Sequence, residues 1–193
     1  MAMRQEEIAH HEAAHAVVAR LLNVGLTHVA IFPTGDHSIA GAETVSPFSL
    51  AHARGADPSA QVAALETEIK VLLAGPCADQ QRHPTTAQKR DWADDFSSAR
   101  SRAALAVVLK AGKVPDITPD VLKLTLRAED VREANQLLGR LGAETQTLVS
   151  ENWPAIVRVA TALLKQRILT ENDVDLLNQK ATDISILFKR IHP

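Results

Sequence analysis

The decisive stretch of this chain is His10-His11-Glu12-Ala13-Ala14-His15-Ala16-Val17-Val18, close to its N-terminus. It lies in a run of good helix formers, and we expect a helix from about residue 3 to residue 23. On a helix, His11 and His15 lie one turn apart on the same face. Both imidazoles then reach one ion, so the spacing predicts two ligands of a metal site.

Glu12 directly follows His11 and completes a His-Glu-x-x-His pattern. In this arrangement the carboxylate projects beside the ion without binding it and takes a proton from metal-bound water. The pattern is typical of zinc peptidases and predicts Glu12 as the catalytic base. The apolar alanines and valines around it suit a dry, partly buried metal site. The alternative interpretation is a surface helix that carries histidines by chance.

The composition favours helices packed through aliphatic side chains. Of 193 residues, 46% are hydrophobic but only 3% are aromatic, and tyrosine is absent. The length suits one generous domain or two small ones. The formal net charge is −2 with interspersed signs, which argues against a nucleic-acid partner. We therefore expect a mainly α, soluble protein.

Cysteine usage and hydropathy indicate the cytoplasm. Cys77 is the only cysteine, which excludes an internal disulfide and suits a reducing compartment, and we expect it in the core. The longest apolar run, Ala103 to Leu109, is far shorter than the roughly 20 residues of a membrane span. The charged N-terminus lacks the apolar core of a signal peptide. Neither a membrane partner nor secretion is expected.

Hydrophobic periodicity predicts a helix, a hairpin and then helices. The predicted elements are a helix over 3–23, strands over 27–32 and 39–45, helices over 58–74 and 91–110, and helices within 120–180. Breaks are expected at Gly25, Gly75-Pro76, 112–119, Gly139 to Gly142, Trp153-Pro154 and Ile168 to Glu171. The loop over 46–58 is a candidate lid. The hairpin either offers an open edge to an extended substrate or is a two-stranded flap that caps the core, and the sequence favours neither.

Two helix starts carry recognisable caps. Asp57 precedes Pro58, which favours an N-cap followed by proline in the first turn. Thr170 and Asp173 resemble a capping box, which would open a short last helix through residues 176 and 177.

A catalytic zinc site needs a third protein ligand that is distant in sequence. The extended metzincin pattern is excluded, because Val18 and Leu21 stand where it needs glycine and histidine. We expect Glu66 and Glu68 to face solvent, since the other face of their helix carries an aliphatic stripe. The candidates that remain open are Glu66, Glu68, His83 and the acidic cluster over 91–95.

Four stretches resemble the peptidase domain of the FtsH family of AAA+ zinc proteases. Two of them are Glu12-Ala13-Ala14-His15-Ala16-Val17-Val18, within the first predicted helix, and the strand region from Gly25 to Gly35. The other two are the helical stretch from Leu73 to Asp79 and the stretch Asp94-Asp95-Phe96-Ser97-Ser98-Ala99. The resemblance implies that Asp95 is the third zinc ligand and that Asp94 occupies the family's asparagine position. Ala14 replaces the family's usual glycine, a change that a helix tolerates. The stretch from Trp153 to Leu177 is similar to the family's closing helices.

The resemblance implies an α+β, mainly α, zincin-type fold with Zn²⁺ held by His11, His15 and Asp95. Residues 1–111 would form the peptidase core, and 112–193 a helical subdomain packed on it. The chain has no G-x-x-x-x-G-K-[ST] loop, so ATP is not an expected partner. We expect peptides or unfolded proteins as substrates. Family members assemble as hexamers, which implies a homo-oligomer or a separate delivery partner here.

Supporting residues are less determined by the sequence. Each ligand histidine is expected to donate its other ring N–H to an acceptor, which Asp79, Glu43 or a backbone carbonyl could supply. His10, His37 and His52 are candidates for stabilising an oxyanion, since tyrosine is absent. Three rival interpretations stay open. They are an inert or regulatory zinc-binding interaction module of the same fold, a helical adaptor, and an amidohydrolase for small molecules.

Overall fold

The computed structural model of the chain describes residues 2–34, 37–83, 92–112 and 127–179. The helices within these ranges are α1 (Ala2–Leu21), α2 (Pro47–Ala53), α3 (Pro58–Arg82), α4 (Ala93–Lys110), α5 (Ala128–Glu151), α6 (Trp153–Gln166) and α7 (residues 171–179). The strands are β1 (Leu26–Thr34), β2 (His37–Thr44) and β3 (Ile168–Thr170). The expectation of a mainly helical fold with a small hairpin is confirmed.

The three strands form one antiparallel sheet in the order β2-β1-β3. The predicted hairpin is present as β1 and β2, and its register places Val29 opposite Ala42 and Ile31 opposite Ala40. β3 was not predicted, because three residues are too few to show alternation. It pairs with β1 through Leu169, which is buried opposite Val29. In the described part of the sheet, β2 is therefore an edge strand.

The core is organised around α1. Ala13, Ala14 and Val17 are fully buried, and α1 packs against α3, α6 and the hairpin. The predicted apolar surroundings of the histidines are thus confirmed. A separate aliphatic layer fills the space between α3, α4 and α5, with Ile69 and Leu141 fully buried within it. α3 lies between these two layers, so each of its faces contacts a different set of helices.

The predicted break at Gly75-Pro76 is wrong, because α3 continues through both residues to Arg82. Pro76 has no N–H to donate to the carbonyl of Leu72, which costs a helix interior about 3 kcal/mol. All six residues from Leu73 to Ala78 are buried, however. The apolar surface removed from water over two turns outweighs the lost hydrogen bond.

The predicted break between Gly139 and Gly142 is also wrong, since α5 runs unbroken from Ala128 to Glu151. Its buried residues Ala134 and Leu141 lie in the layer shared with α3 and α4, and its buried Val149 lies in the core around α1. The break at Trp153-Pro154 is confirmed, since α5 ends at Glu151 and α6 begins at Trp153.

Helix ends differ in detail from the predictions. The left-handed residue after α1 is Asn23, with φ of 56°, and not Gly25. The loop over 46–58 contains α2, whose first turn is capped by Ser46 Oγ accepting from Ser49 N at 3.0 Å. Asp57 caps α3 as predicted, by accepting from Ala60 N at 2.9 Å.

The Thr170–Asp173 capping box is confirmed. Asp173 Oδ2 accepts from Thr170 N at 2.9 Å, and Thr170 Oγ1 accepts from Asp173 N at 3.4 Å. These contacts join the end of β3 to α7.

Several predictions fall outside the described residues. They concern most of the predicted break over 112–119, the start of the helices predicted within 120–180, and the side chain of His37, a candidate for stabilising an oxyanion. The division of the chain near residue 112 stays a prediction. In the part of the chain that the structure describes, no helix has the length and apolarity needed to cross a membrane.

Candidate metal centre

His11 and His15 project from the face of α1 that packs against α3. Both are buried, with 9% and 8% of their surface exposed. His11 Nδ1 lies 2.8 Å from Asp79 Oδ2, and His15 Nδ1 lies 2.7 Å from the carbonyl oxygen of Val71. Asp79 and Val71 both belong to α3. Each acceptor takes an Nδ1–H, which leaves both Nε2 atoms free to offer a lone pair.

Asp95, in the first turn of α4, brings its carboxylate to the two Nε2 atoms. Its Oδ2 lies 3.1 Å from His11 Nε2 and 3.5 Å from His15 Nε2, and the two Nε2 atoms are 3.1 Å apart. Tetrahedral zinc with bonds of 2.0–2.1 Å separates its ligand atoms by about 3.3 Å. The three donor atoms therefore have the spacing and the chemistry of three zinc ligands.

The electrostatics of this cluster favour a positive charge, either a proton or a metal ion, among the three side chains. Burial by itself would lower the pKa of His11, but hydrogen bonds to Asp79 and Asp95 outweigh it and raise the pKa to about 10. Burial would raise the pKa of Asp95, but its hydrogen bonds to His11 and His15 hold that pKa well below the usual range. Three lone pairs that converge in a buried site repel one another unless a proton or a metal ion lies among them.

Gly75 makes the close approach of α3 to α1 possible. A Cβ built on this residue would collide with the Nε2 atoms of both His11 and His15. Any other residue here would push the imidazoles away from Asp95 or separate the two helices. The sequence analysis treated Gly75 only as a helix breaker and missed this role, which depends on the packing of α3 against α1.

Glu12 lies beside the cluster and lines a cleft of about 370 Å³ together with both histidines. Burial raises the pKa of its carboxyl, and the nearby His15 and His11 partly oppose that shift. The carboxylate is therefore a stronger base than an exposed glutamate. Its placement next to the ligand atoms, and not among them, is the one expected for Glu12.

The edge strand β2 forms one wall of the same cleft, with Ala40, Gly41, Ala42 and Thr44 at its surface. Ser46 and Pro47 at the start of α2, and Val71 and Leu72 of α3, also line this cleft. Since β2 is an edge strand of the described sheet, it can pair with an added strand inside the cleft.

The expectation that Glu68 faces solvent is wrong. It is 8% exposed, and its carboxylate accepts from Ser46 Oγ, from Phe48 N at 3.0 Å and from Arg102 Nε. α3 packs on two sides, so a residue off its main aliphatic stripe is still covered. Glu68 joins the start of α2 to α4, and Arg102 contributes a cationic side chain to the cleft.

The other two residues considered as a third ligand pair with groups outside the candidate metal centre. Glu66 pairs with Arg140 at 2.8 Å, and His83 pairs with Glu7 at 3.3 Å. Of the two side chains proposed as acceptors, Asp79 holds His11, whereas Glu43 pairs with His28 at 3.2 Å. Of the histidines considered for stabilising an oxyanion, His10 stacks on Trp153 and His52 is exposed on α2. Cys77 is buried, as expected.

Comparison with known proteins adds no identification. No protein-family model matches the chain, and no curated protein matches its sequence. The resemblance to the FtsH peptidase domain therefore remains a prediction from the sequence motifs.

Proposed function

We propose that this chain is a zinc metallopeptidase of the FtsH type that hydrolyses peptide bonds without ATP. The observation that carries the proposal is the convergence of His11 Nε2, His15 Nε2 and Asp95 Oδ2 within 3.1–3.5 Å of one another, beside Glu12. His11 and His15 lie one turn apart on α1, and Asp95 follows some eighty positions later. Among the described residues, these three form the one group of side chains placed to hold a metal ion. Chance histidines on a surface helix would not be buried against such partners.

The donor set fits Zn²⁺. Two imidazoles and one carboxylate hold catalytic zinc in other hydrolases, with the fourth position left to water or substrate. When bound, zinc acts as a Lewis acid that polarises a carbonyl and lowers the pKa of water to about 7. Asp79 and the Val71 carbonyl fix the ring orientation of the two histidines, since each takes an Nδ1–H.

Glu12 performs the proton transfers in this proposal. Its carboxylate takes a proton from the attacking water as the water oxygen bonds to the scissile carbonyl carbon. It then passes that proton to the amine nitrogen as the carbon–nitrogen bond breaks. Burial raises the pKa of Glu12, which makes its carboxylate a stronger base for the first of these steps.

The cleft suits an extended peptide as the substrate. A peptide that lies along β2 completes the backbone hydrogen bonds of that edge and brings its carbonyl groups past the candidate ligands. Such a segment must already be unfolded, because strand addition needs free backbone groups. Peptides, flexible termini and unfolded proteins are therefore the proposed substrates.

The test compares wild-type protein with Glu12→Gln, which keeps the size of the side chain and removes the base. Zinc content is measured by elemental analysis, and cleavage of casein or of a peptide library by mass spectrometry. We expect about one zinc per chain in both proteins and a loss of hydrolysis of at least about 100-fold in the variant. Equal hydrolysis by both proteins would contradict the role of Glu12. Stoichiometric zinc in a wild-type protein that cleaves nothing would instead support a zinc-binding interaction module.

A further inference from the structure

Trp92 is held against the candidate metal centre by a single polar contact. Its indole Nε1–H donates to Asp79 Oδ2 at 2.8 Å, and the same oxygen accepts His11 Nδ1–H at 2.8 Å. An indole nitrogen only donates, so the direction of this bond is unambiguous. One carboxylate oxygen thus joins the residue before α4 to a candidate ligand on α1.

Trp92 also begins the helix that carries Asp95. Its carbonyl accepts from Phe96 N at 2.9 Å, the first backbone hydrogen bond of α4. The N-terminus of α4 has no capping hydrogen bond from the side chain of Trp92. The indole contact with Asp79 and the tilted ring contact with Phe96, 5.9 Å between ring centres, hold this turn instead.

From these contacts we propose that Trp92 is a positioning residue for the metal centre. Through Asp79 it orients His11, and through the first turn of α4 it places Asp95. The inference rests on the proposed function, because it concerns the same three ligands. In this role Trp92 helps to assemble the site and contacts neither the substrate nor the ion.

The first test removes the indole N–H and keeps an aromatic ring. Trp92→Phe should weaken zinc affinity, measured by competition with a chromogenic chelator, by about tenfold, in the range seen when a partner of a metal ligand is lost. The matched control is Trp153→Phe, since Trp153 stacks on His10 and not on one of the three candidate ligands. The control should keep the wild-type affinity.

A double-mutant cycle separates this role from a general effect on folding. If Trp92 acts through Asp79, the loss caused by Trp92→Phe should fall to less than about threefold in an Asp79→Ala background, in which residue 79 has no side-chain oxygen to accept the indole N–H. Equal losses in both backgrounds would overturn the inference, and so would wild-type affinity in Trp92→Phe. Absence of zinc binding by the wild-type protein would overturn the proposed function as well, which keeps the two failures distinct.

A third measurement needs no substitution. In wild-type protein labelled with ¹⁵N-tryptophan, the indole N–H of Trp92 should exchange with solvent deuterium at least tenfold more slowly than that of a denatured control. Exchange as fast as in the denatured control would show that the bond to Asp79 is not kept in solution and would overturn the inference.

Discussion

The two faces of α3 are built from different kinds of contact. Toward α1 lies a buried polar cluster in which Asp79 and the Val71 carbonyl hold two imidazoles. Toward α4 and α5 lies an aliphatic layer around Leu141, with ion pairs such as Lys110–Glu133 at its rim. The first face therefore carries the candidate metal centre, whereas the second packs apolar side chains against one another.

Two glycines inside helices also differ, in the space available for a side chain. Gly75 on α3 leaves no room for a Cβ because the two imidazole nitrogens occupy the space. Gly139 on α5 has no atom within 4 Å of its Cβ position. The first glycine is required by packing, whereas the second only weakens its helix.

The largest effect on stability is expected in the aliphatic layer. Leu141→Ala should lower the free energy of unfolding by about 2–5 kcal/mol, because it leaves a cavity at a fully buried position. Chemical denaturation measures the loss, and Val131→Ala, at an exposed position of the same helix, is the control. Zinc affinity of the folded variant should be unchanged. A change of more than about threefold would mean that the two faces are coupled.

Gly75→Ala should have the next largest effect, and on zinc binding above all. The added methyl group must displace His11 and His15, and overpacking of this kind costs about 1–3 kcal/mol. Zinc affinity should therefore fall by about 10- to 100-fold in a chelator competition assay. A variant that binds zinc as tightly as wild type would contradict the packing described between α1 and α3.

The matched substitution Gly139→Ala should have the opposite sign. Alanine fits the open space and favours helix, so the free energy of unfolding should rise by about 0.5–1 kcal/mol. Denaturation midpoints at constant slope report the change. A loss of stability would show that α5 is more closely covered at this position than described.

The smallest effect is expected at the charged rim. Hydrogen bonds with Lys70 and Arg140 lower the pKa of Glu144, whose side chain is 39% exposed. A lowered pKa contributes stability that is present above the ordinary value and is lost as the pH falls through the folded value. Glu144→Gln should cost less than about 1 kcal/mol at pH 7, with the difference from wild type shrinking below about pH 4.5. A difference that grows in acid would contradict this sign.

The structure brings together the three residues that were predicted as ligands, and whether they bind a metal stays a prediction. Helical spacing alone placed His11 and His15 on one face, but Asp95 could be selected only through the FtsH resemblance. The roles of Gly75 and Trp92 depend on which helices touch, and neither spacing nor composition reports that. Glu68 was misjudged because a single aliphatic stripe does not reveal a helix that is covered on two sides.

The failures at helix interiors have a common physical cause. Local propensity placed breaks at Gly75-Pro76 and at Gly139 to Gly142, and both helices continue. The propensity cost is about 1–3 kcal/mol at each site, and the apolar surface that these helices bury contributes more. At Trp153-Pro154 the local signal was right, since α5 ends at Glu151 and α6 begins at Trp153.

Anomalous X-ray diffraction at the zinc edge, from crystals of the zinc-loaded protein, tests the central claim most directly. We predict one strong peak within about 2.0–2.2 Å of His11 Nε2, His15 Nε2 and an oxygen of Asp95, with Glu12 beside it and not bound to it. A peak held by other residues, or none at this cluster in protein saturated with zinc, would contradict the account.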